Sequence, residues 1–407
     1  MPNYQAPGVY VEEVQSGPRP IQAVGTSTAG FVGEAPAADK HVNEAVAVNN
    51  WSQFVREFTA AESPATPLAH AVYGFFENGG RRCYVVNVGK GQPLRGDARK
   101  RQGLDVLETV DEVAIVAAPG YADAASYDAL LSHCEKLKDR VAVLDPPADV
   151  TNVDLLTRVA TVTAKKPPKE GAAADPADAA GGLRPRNSSY GAFYFPRILV
   201  RDPFSSQREP VTVAASGHLA GIWARTDATR GVHKAPANEP VRGALGVEYA
   251  LTHSEQESLN PAGVNCIRFF STEGVQVWGA RTVADGSSPW RYLNVRRLFN
   301  MVEKSIARST RWCVFEPNDE LLWKSITRDV TAFLTLCWRD GALMGRTPAE
   351  AFFVKCDDET NPPESIDAGM VVTLVGMAPV KPAEFIVFRI GQHAGGAQIE
   401  TQGGANA

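Results

Sequence analysis

Apolar residues recur at helical spacing most clearly over residues 290–341, WRYLNVRRLFNMVEKSIARSTRWCVFEPNDELLWKSITRDVTAFLTLCWRDG. Val295, Phe299, Val302 and Ile306 fall at i, i+4, i+7 and i+11, one face of a 3.6-residue period. Arg296, Arg297, Lys304, Arg308 and Arg311 centre roughly opposite that stripe, with Glu303 near its edge. The pattern predicts a helix with one buried face and one cationic face, either solvated or docked on an acidic partner. A second helix should follow. Asn318 is its candidate N-cap, Asp319 and Glu320 suit the positive end of the helix dipole, and Gly341 is the expected stop. Leu322, Ile326, Val330, Phe333 and Cys337 make its apolar stripe.

Alternation and apolar runs predict strands elsewhere. Residues 9–14, VYVEEV, have strand propensity but no hairpin turn beside them. The ladder partners of Val9, Tyr10, Val11 and Val14 must then be distant, or on another chain; an edge strand of the chain's own domain is the plainer alternative. Residues 21–34 read as a strand, 51–58 and 67–78 as helices (Ser52 a candidate N-cap), and 82–88 as a buried strand. Residues 102–145 read as a β-α-β unit, with strands at 113–118 and 141–144 and a helix over 125–140, so the two strands should be parallel. A helix is expected over 152–163 and a long surface loop over 164–189. Residues 190–200 form an aromatic strand that Pro196 interrupts, which favours an edge or a bulge. Residues 201–215 read as a loop, Ser216-Gly217-His218 should open a helix, and 226–246 should be an extended connection. Strands at 266–270 and 276–282 precede the helix pair; strands at 351–356, 370–376 and 384–390 follow it. In the last, EFIVFRI, Phe385 and Val387 share one face and Phe388 lies on the other. Residues 391–407 read as a flexible tail.

Composition narrows the function. At 407 residues the chain is long enough for two or three domains, and 44% apolar with 21% charged residues places it among globular proteins. The net charge of −5 argues against nucleic acid as a partner. No run approaches 18 apolar residues, so no membrane insertion is expected. The N-terminus lacks the basic and apolar regions of a Sec signal, so leaving the cell would need another route, such as lysis. The six cysteines form no CxxC and no zinc-type pairing with histidine, and most sit in apolar surroundings. They read as reduced, packed thiols of a chain that folds in a cytosol.

Catalytic patterns are absent. The turn after the first strand of the β-α-β unit is APGYAD, not GxGxxG, and Gly74 to Gly79 is not followed by Lys-Ser/Thr. The seven histidines are scattered, with no HExxH, EF-hand loop or GxSxG elbow. Ser216 and His218 are too close in sequence for a hydrolase dyad; His218 reads as a helix-start residue. No catalytic, cofactor or metal site is therefore expected, and a structural protein is.

Longer stretches carry a resemblance. PGVYVEEVQSGPRPIQAVGTSTAGFVG at the N-terminus, then AVYGFFENGGRRCYVVNV and EVAIVAAPG, resemble the contractile tail sheath family of phages and phage-tail-like injection systems. SGHLAGIWARTDATRGVHKAPANEPVRGALGVE is a long and specific match, as is NPAGVNCIRFF with VWGARTV and WRYLNVRRLFNMVEKSI after it. The resemblance implies an α/β (mixed α+β) subunit of two domains with extended terminal strand arms. Residues 1–20 would be the N-terminal linking arm and 21–250 an outer α/β domain. Residues 251–390 would be an inner, tube-facing domain of a small sheet packed with two helices, and 391–407 a C-terminal arm. It implies strand exchange between copies through Val9, Tyr10, Val11 and Val14 and through Phe385, Val387 and Phe388. It implies that Arg296, Arg297, Lys304, Arg308 and Arg311 lie on the helix that meets the tube. The implied partners are further copies of the chain in a helical or stacked-ring polymer, an inner tail tube protein, and baseplate and tail terminator or cap proteins. Assembly in a bacterial cytoplasm into a virion tail or a released tail-like particle would follow. The alternatives are a cytosolic α/β enzyme with an unrecognised site and a static tail-tube or baseplate protein.

Overall fold

The computed structural model describes residues 20–60, 63–161, 181–205 and 210–386. In chain order the strands are β1 (Ala29–Gly33), β2 (Ala45–Val48), β3 (Cys83–Asn87), β4 (Ile115–Ala117), β5 (Val141–Leu144), β6 (Gly191–Phe195), β7 (Ile198–Arg201), β8 (Pro210–Val213), β9 (Glu239–Pro240), β10 (Ala244–Val247), β11 (Val264–Phe270), β12 (Gly274–Trp278), β13 (Phe352–Lys355) and β14 (Leu374–Met377). The α-helices are α1 (Trp51–Phe58), α2 (Pro67–Glu77), α3 (Ala124–Leu137), α4 (Ser216–Arg230), α5 (His253–Leu259), α6 (Leu293–Ser309), α7 (Glu320–Arg339), α8 (Pro348–Ala351) and α9 (Pro363–Asp367).

Nine strands form one sheet in the order β2-β3-β1-β4-β5-β6-β11-β12-β9. The run from β3 to β11 is parallel, and antiparallel strands close both edges. Parallel strands are covered on both faces and so read as continuous apolar runs. Every residue of β1, β4, β5 and β6 is buried. α2 and α4 cover one face through Leu68, Val72, Phe75, Leu219, Ile222 and Trp223. α3 covers the other through Leu130, Leu131 and Cys134. The β-α-β unit is as expected, with β4 and β5 parallel and α3 as the crossover.

Pro196 behaves differently from the expectation. β6 is a central strand, and the proline falls after its end, where the chain leaves for a second sheet, β10-β7-β8. Within the supposed loop at 201–215 lies β8, and α4 runs on to Arg230 before β9 and β10. Over the described part of the expected helix at 152–163, residues 152–161, the helical element is the short 3-10 turn Val153–Thr157. Asn50 rather than Ser52 caps α1, accepting from the Gln53 amide at 2.8 Å.

The expected domain division at 250/251 falls inside the nine-stranded sheet, because β11 pairs in parallel with β6. The composition change near 247 marks only the passage from β10 to α5. Asn265 then stitches β11 inward, donating to Phe193 O and Arg281 O and accepting from Arg281 N. A separate apolar core begins beyond this sheet. It joins Leu298 and Val302 of α6 to Leu322, Trp323, Ile326, Val330, Phe333, Leu334 and Cys337 of α7, with Phe352 of β13. The whole predicted stripe of α7 is thus buried on this core; of the predicted α6 stripe, Val302 joins it and Ile306 packs against it, whereas Phe299 meets Trp290 instead. Asp319, one residue beyond the predicted cap, accepts from Leu322 N at 2.9 Å. Asn318 instead accepts from Trp323 Nε1. Gly341 ends α7 at φ 78°, a left-handed conformation that favours glycine.

Candidate functional site

α6 sits between the large sheet and the second core, so both of its faces are occupied. Arg296 and Arg297 are only 4% and 3% exposed. Arg296 donates to Asn300 Oδ1 at 2.8 Å and Glu303 Oε1 at 3.1 Å, and its guanidinium lies over the rings of Trp290 and Tyr190. Arg297 grips Asp227 of α4 with both terminal nitrogens, at 2.9 and 2.5 Å, and also donates to Thr26 O. Lys304 reaches Asp139 at 2.7 Å and Asp111 at 3.3 Å. Burial pushes the Asp139 carboxyl up, but bonds from Arg140 and Lys304 outweigh it and hold the group below its ordinary value. The expected face of five available cations is therefore corrected. Three of them bind acids of the chain's own body: Arg296 binds Glu303 on the same helix, whereas Arg297 and Lys304 bind acids far away in sequence. Arg308 and Arg311 are exposed and make no ion pair among the described residues.

Residues 21–26 and Val380 contact α6 or the core it lines. Ile21 is buried in the second core, Val24 N donates to Ser305 Oγ at 3.0 Å, and Thr26 Oγ1 donates to Asp227 Oδ2. On the other side, Asn294 Nδ2 donates to Val380 O, and Arg281 pairs with Glu384 through two nitrogens. That pairing, led by the hydrogen bond to Glu384, holds the Arg281 pKa above its ordinary value. Phe385 and Ile386 follow at 74% and 75% exposure, in no strand. Val9, Tyr10, Val11, Val14, Val387 and Phe388 lie outside the described residues.

Among the described residues a sheet of two strands packs on the second core. β13 and β14 pair antiparallel, Phe352 opposite Met377, Phe353 opposite Gly376, Val354 opposite Val375, and Lys355 opposite Leu374. Phe352, Val354 and Met377 turn toward the second core. Phe353 and Leu374 project outward, 59% and 51% exposed. The Phe353 ring lies across Gly376, where a Cβ would stand 2.1 Å from it. Among the described residues each of the two strands has a single partner, so each has an open edge. Nearby, Met370, Val371 and Val372 are also exposed. The sequence predicted both strands but gave no sign that they stand apart from the large sheet.

A polar cavity of about 300 Å³ opens where β3 ends. Asn43, Gly89, Lys90, Gln92 and Gln102 help to line it, with no histidine, cysteine or carboxylate. No helix among the described residues is long and apolar enough to cross a membrane.

Two family models match the chain. The phage tail sheath protein central domain covers residues 100–283, and the phage tail sheath C-terminal domain covers 285–392. Their junction coincides with the end of the large sheet, not with residue 250. The tail sheath protein of Vibrio phage KVP40 is 29% identical over 177 residues, 43% of this chain and 26% of that protein. The chain thus spans well under half the length of the curated relatives it matches first, 26% and 40%. Among solved structures it resembles the contracted sheath complex of the extracellular contractile injection system PVC, at TM-score 0.75 and 28% identity over 97% of this chain and 99% of the other. It also resembles the contracted helical sheath of the anti-feeding prophage, at TM-score 0.74 and 29% identity over 96% of this chain and 100% of the other.

Proposed function

Since the chain belongs to the phage tail sheath family, we propose that it is the structural subunit of a contractile sheath, polymerising around an inner tube and shortening to drive that tube through a target envelope. The observation that carries this reading is the β13–β14 sheet, which among the described residues has open edges and an exposed apolar face. A two-stranded ribbon is marginal alone, and an open edge accepts further strands. In this reading the donors are the arms of neighbouring copies, Val9, Tyr10, Val11 and Val14 from one and Phe385, Val387 and Phe388 from another. Donor and acceptor are different surfaces, so the contact is heterologous and propagates as a filament or stack. Tethers of extended chain keep copies joined while their bodies rotate.

The tube-facing part of this reading is α6, α7 and the β13–β14 sheet, and the large sheet forms the outer body. Arg308 and Arg311 remain as the cations of α6 and its end that can meet an acidic tube. Each exposed pair is worth about 0–1 kcal/mol, but it repeats along the lattice and breaks without great cost during contraction. Replacing both by Glu should reduce sheath assembled on tubes several-fold, and more so at low salt, while leaving tube-free polymers unchanged. Co-sedimentation with tubes measures this, and equal sheath on tubes from the variant would exclude the assignment.

Other partners in this reading are baseplate and tail terminator or cap proteins, with no nucleic acid and no membrane insertion by this chain. Assembly takes place in the bacterial cytoplasm, and the role is mechanical rather than enzymatic. Negative-stain electron microscopy of the protein expressed alone tests the reading. Hollow, ridged tubes are expected. Compact monomers that also fail to polymerise on a co-expressed tube protein would overturn it.

A further inference from the structure

Three side chains outside the surfaces proposed for assembly meet on the face of the large sheet covered by α3. Asp105 and Glu108 lie on the 3-10 turn Leu104–Thr109, and His133 faces them from α3. One donor atom from each lies within 4.8 Å of the other two. Asp105 and His133 are only 4% and 3% exposed. Neither ring nitrogen of His133 has a hydrogen-bond partner; Asp105 Oδ1 has none either, although Arg95 Nε lies 3.2 Å from it. Buried polar atoms without partners are costly, and each calls for something to satisfy it.

We propose that Asp105, Glu108 and His133 form a binding site for a divalent transition-metal cation, with zinc the best match to the donors. One imidazole nitrogen and two carboxylates suit zinc, which takes three protein ligands with a water in the fourth position. Magnesium and calcium prefer oxygen-only shells of six or more ligands. Zinc bonds of about 2.0–2.2 Å require donor separations near ~3.4 Å, which modest side-chain rotation from the present spacing supplies.

The surrounding cations do not forbid this. Arg95 pairs with Asp105 at 3.2 Å and Lys136 with Glu108 at 2.7 Å, and their side chains are 45% and 59% exposed. Both are held on flexible stems that can swing into solvent when a metal takes their place. Arg140 is engaged elsewhere, donating to Leu107 O and Val110 O and pairing with Asp139. A bound metal would pin the 104–109 turn to α3.

The test uses the full chain, stripped with a chelator, exchanged into chelator-free buffer and titrated with zinc chloride by calorimetry. One zinc per chain is expected. At about a hundredfold excess over Kd, the unfolding midpoint should rise by about 3 °C. Magnesium chloride should give no rise. His133→Gln should weaken zinc binding at least tenfold. Glu108→Gln, at a half-buried position that tolerates change, should do the same if the first variant fails to fold. Absence of binding would overturn the proposal. So would unchanged affinity in both variants, which would put the ion on exposed groups such as His253. Neither result bears on the sheath reading.

Discussion

Deleting residues 1–19 should raise the critical concentration for polymerisation by about three orders of magnitude while leaving a folded, soluble chain. The described core begins at residue 20, and Ile21, which plugs the second core, remains in place. What is removed is VYVEEV, the strand proposed to fill an edge of β13–β14 in a neighbour. A strand of this length adds about five backbone hydrogen bonds at about 1 kcal/mol each, and it covers Phe353 or Leu374. A loss of about 5 kcal/mol per junction corresponds to a roughly thousandfold weaker contact or more. The acceptor side predicts the same phenotype. Phe353→Asp with Leu374→Asp alters two exposed side chains, so the fold should survive while polymers disappear. Sedimentation with electron microscopy reads both. A truncated chain that polymerises at the parent's critical concentration would remove the arm from the account.

Arg297→Ala should destabilise the chain by about 3–5 kcal/mol, the usual result of breaking a buried ion pair from one side. Asp227, 4% exposed at its side chain, would lose the guanidinium that now holds it. Thr26 O would lose its donor, and the cation over the Trp223 ring would go as well. Arg297→Lys should recover only part of this, since an ammonium cannot reproduce the two-pronged grip. Asp227→Ala added to Arg297→Ala should cost less than the sum of the two single changes. Denaturant unfolding of an assembly-deficient background would measure the series. Strict additivity would mean that the pair is not coupled. The junction matters because it fastens three parts together: the entering chain at Thr26, α4 of the sheet body, and α6.

How much of this could be read from the sequence depended on whether the signal was local. The stripes of α6 and α7, the stop at Gly341 and the β-α-β unit depend on spacing within one segment, and they were legible. The fate of the α6 cations was not. A helical wheel shows that Arg296, Arg297 and Lys304 lie away from the apolar stripe. It cannot show that Asp227 stands across from Arg297, or that Asp111 and Asp139 stand across from Lys304. Pro196 suggested an edge because its effect was assigned to the strand it follows, whereas the strand ends at Phe195 and the proline redirects the chain. The division at 250 separated β11, itself an expected strand, from the sheet it joins, because parallel pairing with β6 leaves no local mark. The two strands of β13–β14 were legible, and their isolation was not. Asp105, Glu108 and His133 carry no motif at all, since only the packing of the 104–109 turn on α3 brings them together.

The claim that this chain is a contractile sheath, rather than a static tube or baseplate component, rests on one sequence supporting two lattices. Cryo-electron microscopy of polymers formed on a co-expressed tube, compared with polymers formed without one, tests it most directly. The account predicts two helical geometries from the same subunit, longer and narrower on the tube and shorter and wider without it, with neighbouring arms filling the β13–β14 sheet in both. A single geometry under both conditions, or β13–β14 edges left empty in the lattice, would contradict it.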